Sequence, residues 1–549
     1  MQFISYKAAI GLAAAIILLG FHKTARTRDE LKDLPQLSLA LTDQKLVIAH
    51  CMTNIIRYKG HKLEDSCNPE FYSPEGNITS PLGGLTQVNV LSDNYLAERT
   101  LDEAVEFEMR AAIASGIDGF QFYYTLGNDS WDEIIKAYFR VADKKNIAFK
   151  FTFCISHPSG ADEAGRIAGF AKRMNSILQE AGRENPHWLR TPDGRLIVYT
   201  WYGDSLADIP EKQKDLPAQY YVASAYKKLA DAVNEKFACI VSVNEQISKE
   251  KLNYYLDYFP AVWLWTLPYT DDFIGNMVAG ECKKRKRHFT GSAFPDFYTS
   301  KLLKTGTWDM YHFAGDAVKA GIGNTERKYI VTGLSYNFRK QLEFGIGKDV
   351  QLMNIITWND YPEGHHLAPE INHNDGFSVL LRYYKSVWKN VSSPYAGKDV
   401  VVAYYKKYNH GITPSPFNIP VIEIEKGGVP AGWEDSIEVV TLVTAESQLL
   451  VNGNEKKVTT GFQSTKFPAR PGAVVIVIKR NNAVVGELRC PEWITDKPYR
   501  TDRLTYSYSN QTDSFYQSLF GDRPVMSSEE YNPGSAGNKV SLYGKTLFR

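Results

Sequence analysis

The sequence predicts an α/β protein, a (β/α)8 TIM barrel followed by a C-terminal antiparallel β-sandwich. Three observations predict it. From about residue 45, short β-rich apolar runs alternate with longer helical stretches. Eight such units fit within roughly 350 residues, as a barrel with elaborated loops would. Past about residue 395 the strand pattern continues with no helices between the strands.

The barrel strands are expected at Leu46 to Cys51, Gly119 to Tyr124, Phe149 to Ile155, Leu196 to Trp201, Cys239 to Val243, Val262 to Leu267, Tyr329 to Leu334 and Met353 to Trp358. Runs that are apolar almost throughout fit parallel strands buried on both faces. Leu101 to Ser115 shows apolar residues at three- and four-residue spacing, with Gly116 as a stop, and reads as one of the intervening helices. A ninth apolar run, His288 to Phe294, is assigned to a long loop after the sixth strand. Beyond the barrel, Ile437 to Val443, Gln448 to Val451, Ala473 to Lys479 and Val484 to Leu488 read as antiparallel strands. Their Asn-rich turns, Val451 to Asn454 and Asn481-Asn482, suit tight hairpins. The expected domains are residues 40–395 for the barrel and 396–549 for the sandwich with a polar tail.

Lys7 precedes the apolar run Ala8 to Phe21, after which the chain turns polar. Residues 1–30 are therefore expected to be a signal peptide or an N-terminal membrane anchor, and the protein to be secreted, periplasmic or at the cell surface. The formal net charge of +1 gives no overall field favouring nucleic acid. The 6 cysteines form no CxxC pair, so neither a zinc knuckle nor a redox motif is indicated. Cys51 and Cys67 are near enough in sequence to clip a loop, whereas Cys154 and Cys239 read as buried thiols in strands. Aromatic residues make up 13% of the chain, which suits either a large core or a surface on which sugar rings stack.

In a parallel barrel the chemistry sits where strands end. The eighth strand runs out into Thr357-Trp358-Asn359-Asp360-Tyr361-Pro362-Glu363-Gly364-His365-His366. Asp360 and Glu363 stand three residues apart on a segment that Pro362 stiffens. Glycoside hydrolysis needs one carboxylic acid to protonate the leaving oxygen and one carboxylate to activate water or attack the sugar, so these two are the expected catalytic pair. Polar and aromatic groups at other strand ends are candidate substrate contacts: His50 and Asn54, Tyr123 and Tyr124, Trp201 and Asp204, Asn244 and Glu245, and Tyr336. Within the eighth-strand loop, Trp358, Asn359, His365 and His366 join them. Asp271 and Asp272 follow the sixth strand. Asp118, at the start of the second strand, reads as architectural. No cofactor or metal is expected, because His365 and His366 lack a spaced third ligand.

The segments Val47 to His50, Ser115 to Phe120, and Thr357 to Tyr361 with Glu363 resemble glycoside hydrolase family 71, the α-1,3-glucanases or mutanases. The i, i+3 acids are also similar to those of the endo-α-mannosidases of family 99. The resemblance spans roughly residues 45 to 395. It implies an endo-acting enzyme on α-1,3-glucan that inverts the anomeric centre, with Asp360 as base and Glu363 as acid. The sequence departs from the family pattern at Pro362 to His365 and in a long insertion between residues 52 and 95. Two alternatives stay open: an α-mannan endo-hydrolase, and a non-catalytic cell-surface glycan-binding protein. The expected partner is a polysaccharide, with membrane contact only through the possible anchor.

Overall fold

The structure, a computed structural model, describes residues 31, 40–63, 92–211, 216–265, 273–302, 325–370, 372–412, 422–424, 428–496 and 503–521. The N-terminal apolar run, Cys67 and with it the Cys51–Cys67 clip, Asp271, Asp272 and the chain after residue 521 lie outside the described residues.

Parallel strands form a closed barrel: β1 (Leu46–Cys51), β2 (Gly119–Tyr124), β3 (Lys150–Ser156), β4 (Leu196–Trp201), β5 (Phe237–Val243), β6 (Ala261–Leu264) and β7 (His288–Ala293). Two strands outside the barrel follow, β8 (Tyr298–Leu302) and β9 (Thr325–Ile330), before β10 (Leu352–Ile355) closes the ring between β7 and β1. Successive side chains point to opposite faces of a strand, and this alternation divides the core in two. Leu46, Ile48, Ile197, Tyr199, Ile240, Trp263 and Leu352 fill the barrel's interior. Val47, Ala49, Phe120, Phe122, Val198 and Met353 face the surrounding helices.

Local chemistry sets the helix bounds. The helix Leu101–Ser115 opens on a capping box between Thr100 and Glu103 and ends on Gly116 at φ 103°, a left-handed position where a side chain would also crowd Arg382. Asp118 accepts the Val47 backbone N–H (2.9 Å) and the Lys385 ammonium (2.6 Å), tying β1 to the helix Gly376–Lys389.

The seventh barrel strand is not the one the sequence suggested. Residues 288–293 form β7, whereas the apolar run beginning at Tyr329 enters, through β9, a separate small sheet in which β9 lies between β8 and β12 (Ile422–Ile424). The reason is that β7 carries little apolar signal. Its Thr290 hydroxyl accepts from Asn354 (2.9 Å) inside the barrel, and at Gly291 a side chain would meet the Met353 sulfur at 2.6 Å.

Past the barrel the chain continues through β11 (Val400–Lys406), β12 (Ile422–Ile424), β13 (Ser436–Val443), β14 (Ser447–Val451), β15 (Asn454–Val458), β16 (Gly461–Pro468), β17 (Val475–Arg480), β18 (Ala483–Arg489) and β19 (Thr505–Ser509). Two antiparallel sheets, β16–β13–β11–β19 and β15–β14–β17–β18, enclose one core that includes Val401, Tyr405, Val439, Leu449, Ile476 and Tyr506. Asn452–Gly453 and Asn481–Asn482 adopt positive φ and close the two predicted hairpins. The other face of β11, through Val400, Val402 and Tyr404, joins the barrel's outer core beside the helix Gly376–Lys389. Among the described residues, no helix is long and apolar enough to cross a membrane.

Candidate active site

The segment leaving β10 is folded tightly onto itself. The Thr357 N–H donates to the His365 carbonyl (2.7 Å), and the Ala368 N–H to that of Trp358 (2.8 Å). Between these ties Tyr361–Glu363 make one 3-10 turn with Pro362 in its first positions. Gly364 ends the turn at φ 66°, where an added Cβ would lie 2.8 Å from Leu504 and 2.9 Å from the Tyr298 backbone. Only glycine meets both demands. The Ile356–Thr357 peptide bond is cis.

This turn brings the two predicted acids together. His365 Nε2 lies 3.1 Å from Glu363 Oε2 and 3.7 Å from Asp360 Oδ2. One oxygen of each carboxylate and a His365 nitrogen all lie within 4.8 Å of one another. The Asp360 side chain is 12% exposed and that of Glu363 20%, so both reach solvent from a mostly dry setting. The inverting course expected above calls for about 6.5–9.5 Å between the carboxyl groups, against about 5–5.5 Å for a retaining pair. The nearest carboxylate oxygens come within 4.8 Å because Asp360 and Glu363 belong to a single turn.

Aromatic side chains from neighbouring strand ends surround the pair. His50 meets Trp265 edge-on (4.9 Å) and Tyr123 (5.8 Å), Trp201 meets Trp265 (4.8 Å) and Tyr123 (6.1 Å), and Trp265 meets His365 edge-on (6.2 Å). Burial, together with Cys154 and the charges of Asp360 and Glu363, pushes the Tyr123 hydroxyl up to about 12, so it stays a hydrogen-bond donor facing the acids. Burial, with His365 nearby and only partly offset by Gln121, pulls His50 down to about 3, leaving a neutral ring.

Of the predicted contacts, His50, Tyr123, Trp201 and His365 thus converge on Asp360 and Glu363. Asn54 is half-buried in the loop after β1, and Glu245 is half-buried after β5. Others are corrected. Tyr124 alternates with Tyr123 and faces the helices, its hydroxyl on Asp132 (3.3 Å) under the Arg173 guanidinium. Trp358 is buried against Phe120 and donates its ring N–H to Glu108 (2.6 Å). Asn359 clamps the loop after β1, accepting from the Met52 N–H (2.8 Å) and donating to the Ile55 carbonyl (2.6 Å). Asp204 is taken up by the Tyr255 hydroxyl, and Asn244 by the Gln246 N–H (3.0 Å). Tyr336 opens the helix Tyr336–Gly347 and packs on Trp433 (4.7 Å), away from the acids.

The sequence reading missed Asp296 and Phe297, which follow β7. Phe297 stacks on His365 (5.8 Å, 9°), and its N–H donates to Asp296 (3.0 Å). Burial alone would raise Asp296, yet Lys406, His373 and the Thr505 N–H around it hold it well below the usual carboxylate range. Correct placement of β7 is the signal that would have found them.

His366, read as a sugar contact, is wholly buried beside His373 (4.8 Å) and Glu370 (3.5 Å). It does have partners at metal-ligand distance: among the described residues, His366, Glu370 and His373 form one group whose ligand atoms lie within 4.8 Å, and Asp360, Glu363 and His365 form another.

The turn that carries both acids lies in the part of the chain that can be matched to a known family. Residues 338–503 match glycosyl hydrolase family 71. The family 71 match begins later than the resemblance read from the sequence and runs on into the sandwich. It includes Asp360, Glu363 and His365, and it supports glycan hydrolysis as the activity. No curated protein matches the chain. Among solved structures, two of a family 99 endo-α-mannosidase from Bacteroides thetaiotaomicron share 11% and 12% identity, with TM-scores of 0.40 and 0.39. Each covers 63% of this chain and 97% of the other. A glycosyl hydrolase family 2 member from Bacteroides cellulosilyticus is 12% identical over 73% of this chain and 44% of its own, with a TM-score of 0.37. Similarity this slight adds nothing to the fold read from the strand order.

Proposed function

We propose that the protein is an exported, endo-acting glycoside hydrolase that cleaves α-1,3-glucan. The observation that carries this reading is the pairing of Asp360 and Glu363 on one tight turn at the mouth of the barrel, both touching His365 and walled by aromatic side chains. The family 71 match supports a glycan as substrate, and the resemblance of the strand-end motifs supports the α-1,3 linkage. The basic residue and apolar run at Lys7 to Phe21 support export.

Glu363 serves as the acid that protonates the glycosidic oxygen as the bond breaks. The His365 contact is available to both its forms, as acceptor from the protonated acid and as donor to the carboxylate. Asp360 serves as the base that takes a proton from the attacking water, so that the anomeric centre is inverted in a single displacement. The neutral His50 and the Tyr123 hydroxyl orient sugar hydroxyls beside the pair.

Incubation with α-1,3-glucan and, separately, with α-mannan tests the substrate. Oligosaccharide release from the glucan is expected. Release from the mannan alone overturns the linkage, and release from neither overturns the activity.

A further inference from the structure

One group of side chains at the barrel mouth is not used by the chemistry above. Tyr202 follows β4 and stays 48% exposed, high for an aromatic side chain beside a catalytic loop. Its ring stacks on His157, which follows β3, at 4.9 Å and 13°. Trp201 meets both rings edge-on, at 4.5 Å for His157 and 4.9 Å for Tyr202. Both stacked residues hold left-handed backbone, φ 43° at His157 and φ 49° at Tyr202. Histidine enters that region more often than most side chains but tyrosine does so rarely, and such conformations persist where the surroundings enforce them, often at ligand sites.

The surroundings do enforce them. The His157 N–H donates to the Trp201 carbonyl (3.2 Å), and the Ser205 hydroxyl donates to the Tyr202 carbonyl (3.1 Å). The next residue, Gly203, has no room for a side chain against Thr200 and receives the Tyr226 hydroxyl on its carbonyl (3.2 Å). The exposed ring is therefore mounted on a fixed turn. Burial and the charges of Glu245 and Glu363 raise the Tyr202 hydroxyl.

We propose that Tyr202, backed by His157 and edged by Trp201, is a subsite that binds one gluco-configured pyranose of the polymer beside the unit being cleaved, with Glu245 accepting from its hydroxyls. An α-linked glucose carries its anomeric oxygen axially on one face only, so the opposite face, with axial C–H bonds at C2 and C4, is an apolar surface that suits a flat aromatic ring. Mannose directs its 2-hydroxyl axially and spoils one such face. The subsite thus selects glucan over mannan, and it rests on the glycoside hydrolase reading.

Calorimetric titration of the Glu363→Gln protein with an α-1,3-linked glucotetraose and an α-linked mannotetraose tests this, alone and combined with Tyr202→Ala or Tyr202→Phe. Unfolding curves confirm the fold of each variant, and hydrolysis of α-1,3-glucan by the otherwise unaltered protein is followed in parallel. Tighter binding of the glucotetraose is expected. Tyr202→Ala should weaken it about tenfold, as loss of one stacked ring would, and Tyr202→Phe by less than about threefold. Hydrolysis with binding indifferent to Tyr202→Ala overturns the subsite and leaves the activity standing. Absence of glucotetraose binding, or preference for the mannotetraose, overturns the subsite as well. Absence of hydrolysis then shows that the activity reading has failed with it.

Discussion

His365 presents its Nε2 to Oε2 of Glu363 at 3.1 Å. The histidine is 1% exposed and its ring is fixed by the stack on Phe297, so it holds the acid rather than following it. His365→Gln keeps a polar group at the site without the imidazole's reach or rigidity. We expect kcat on α-glucan to fall by about 10²-fold with KM changed far less, since a misplaced general acid costs rate before binding. Steady-state kinetics read this, and an unchanged kcat would show that the contact is incidental.

Asn359 acts through the backbone. Its side chain both accepts from and donates to Met52 and donates to Ile55, so Asn359→Ala strands buried groups in the loop after β1. Leaving such groups unpaired costs about 1–3 kcal/mol each. Chemical denaturation is expected to show a loss of about 3 kcal/mol together with reduced activity.

Glu108 gives stability a particular pH dependence. Burial pushes its carboxyl up to about 7, against a smaller opposing effect of the Trp358 N–H. Since the folded value is raised, its contribution is fully present below the unfolded value of about 4.5 and is lost as pH rises through about 7. His50, at about 3, and His366, at about 4, act in the opposite direction, losing their contribution as pH falls below about 6.5. Comparing Glu108→Gln with the unaltered protein isolates the first effect. The variant should gain roughly 3 kcal/mol relative stability between pH 4.5 and pH 8 in denaturant melts.

The proposed roles of the acids predict the stereochemistry. With Asp360 as base and Glu363 as acid, the first-formed reducing end should have the β configuration. Proton NMR of the early products reads it directly. Initial release of the α anomer would overturn the single displacement.

Much of this was legible in the chain. The run from Ile355 to Glu363 ends a strand in two acids and a proline, and both the strand and the turn are present. The capped helix Leu101–Ser115 has its predicted bounds. Strand β7 is legible as a run but reads as a loop, because Thr290, Gly291 and Ser292 weaken its apolar pattern beside the stronger run at Tyr329. That one misplacement hid Asp296 and Phe297 and made Tyr336 a candidate at the end of a strand that is not in the barrel. Tyr124 and Trp358 were misjudged for a simpler reason, since proximity to a strand end was counted without the alternation that turns every second side chain outward. The spacing of Asp360 and Glu363 in space, as opposed to sequence, depends on the turn at Gly364, which residue order alone does not specify.

The central claim is tested most directly by the turnover of α-1,3-glucan in Asp360→Asn and Glu363→Gln, each checked for folding by its unfolding curve. Both substitutions keep shape and remove proton chemistry. A fall in kcat of at least about 10³-fold in each, with the fold retained, is the predicted result. Turnover within about tenfold of the unaltered protein in either one would contradict the account.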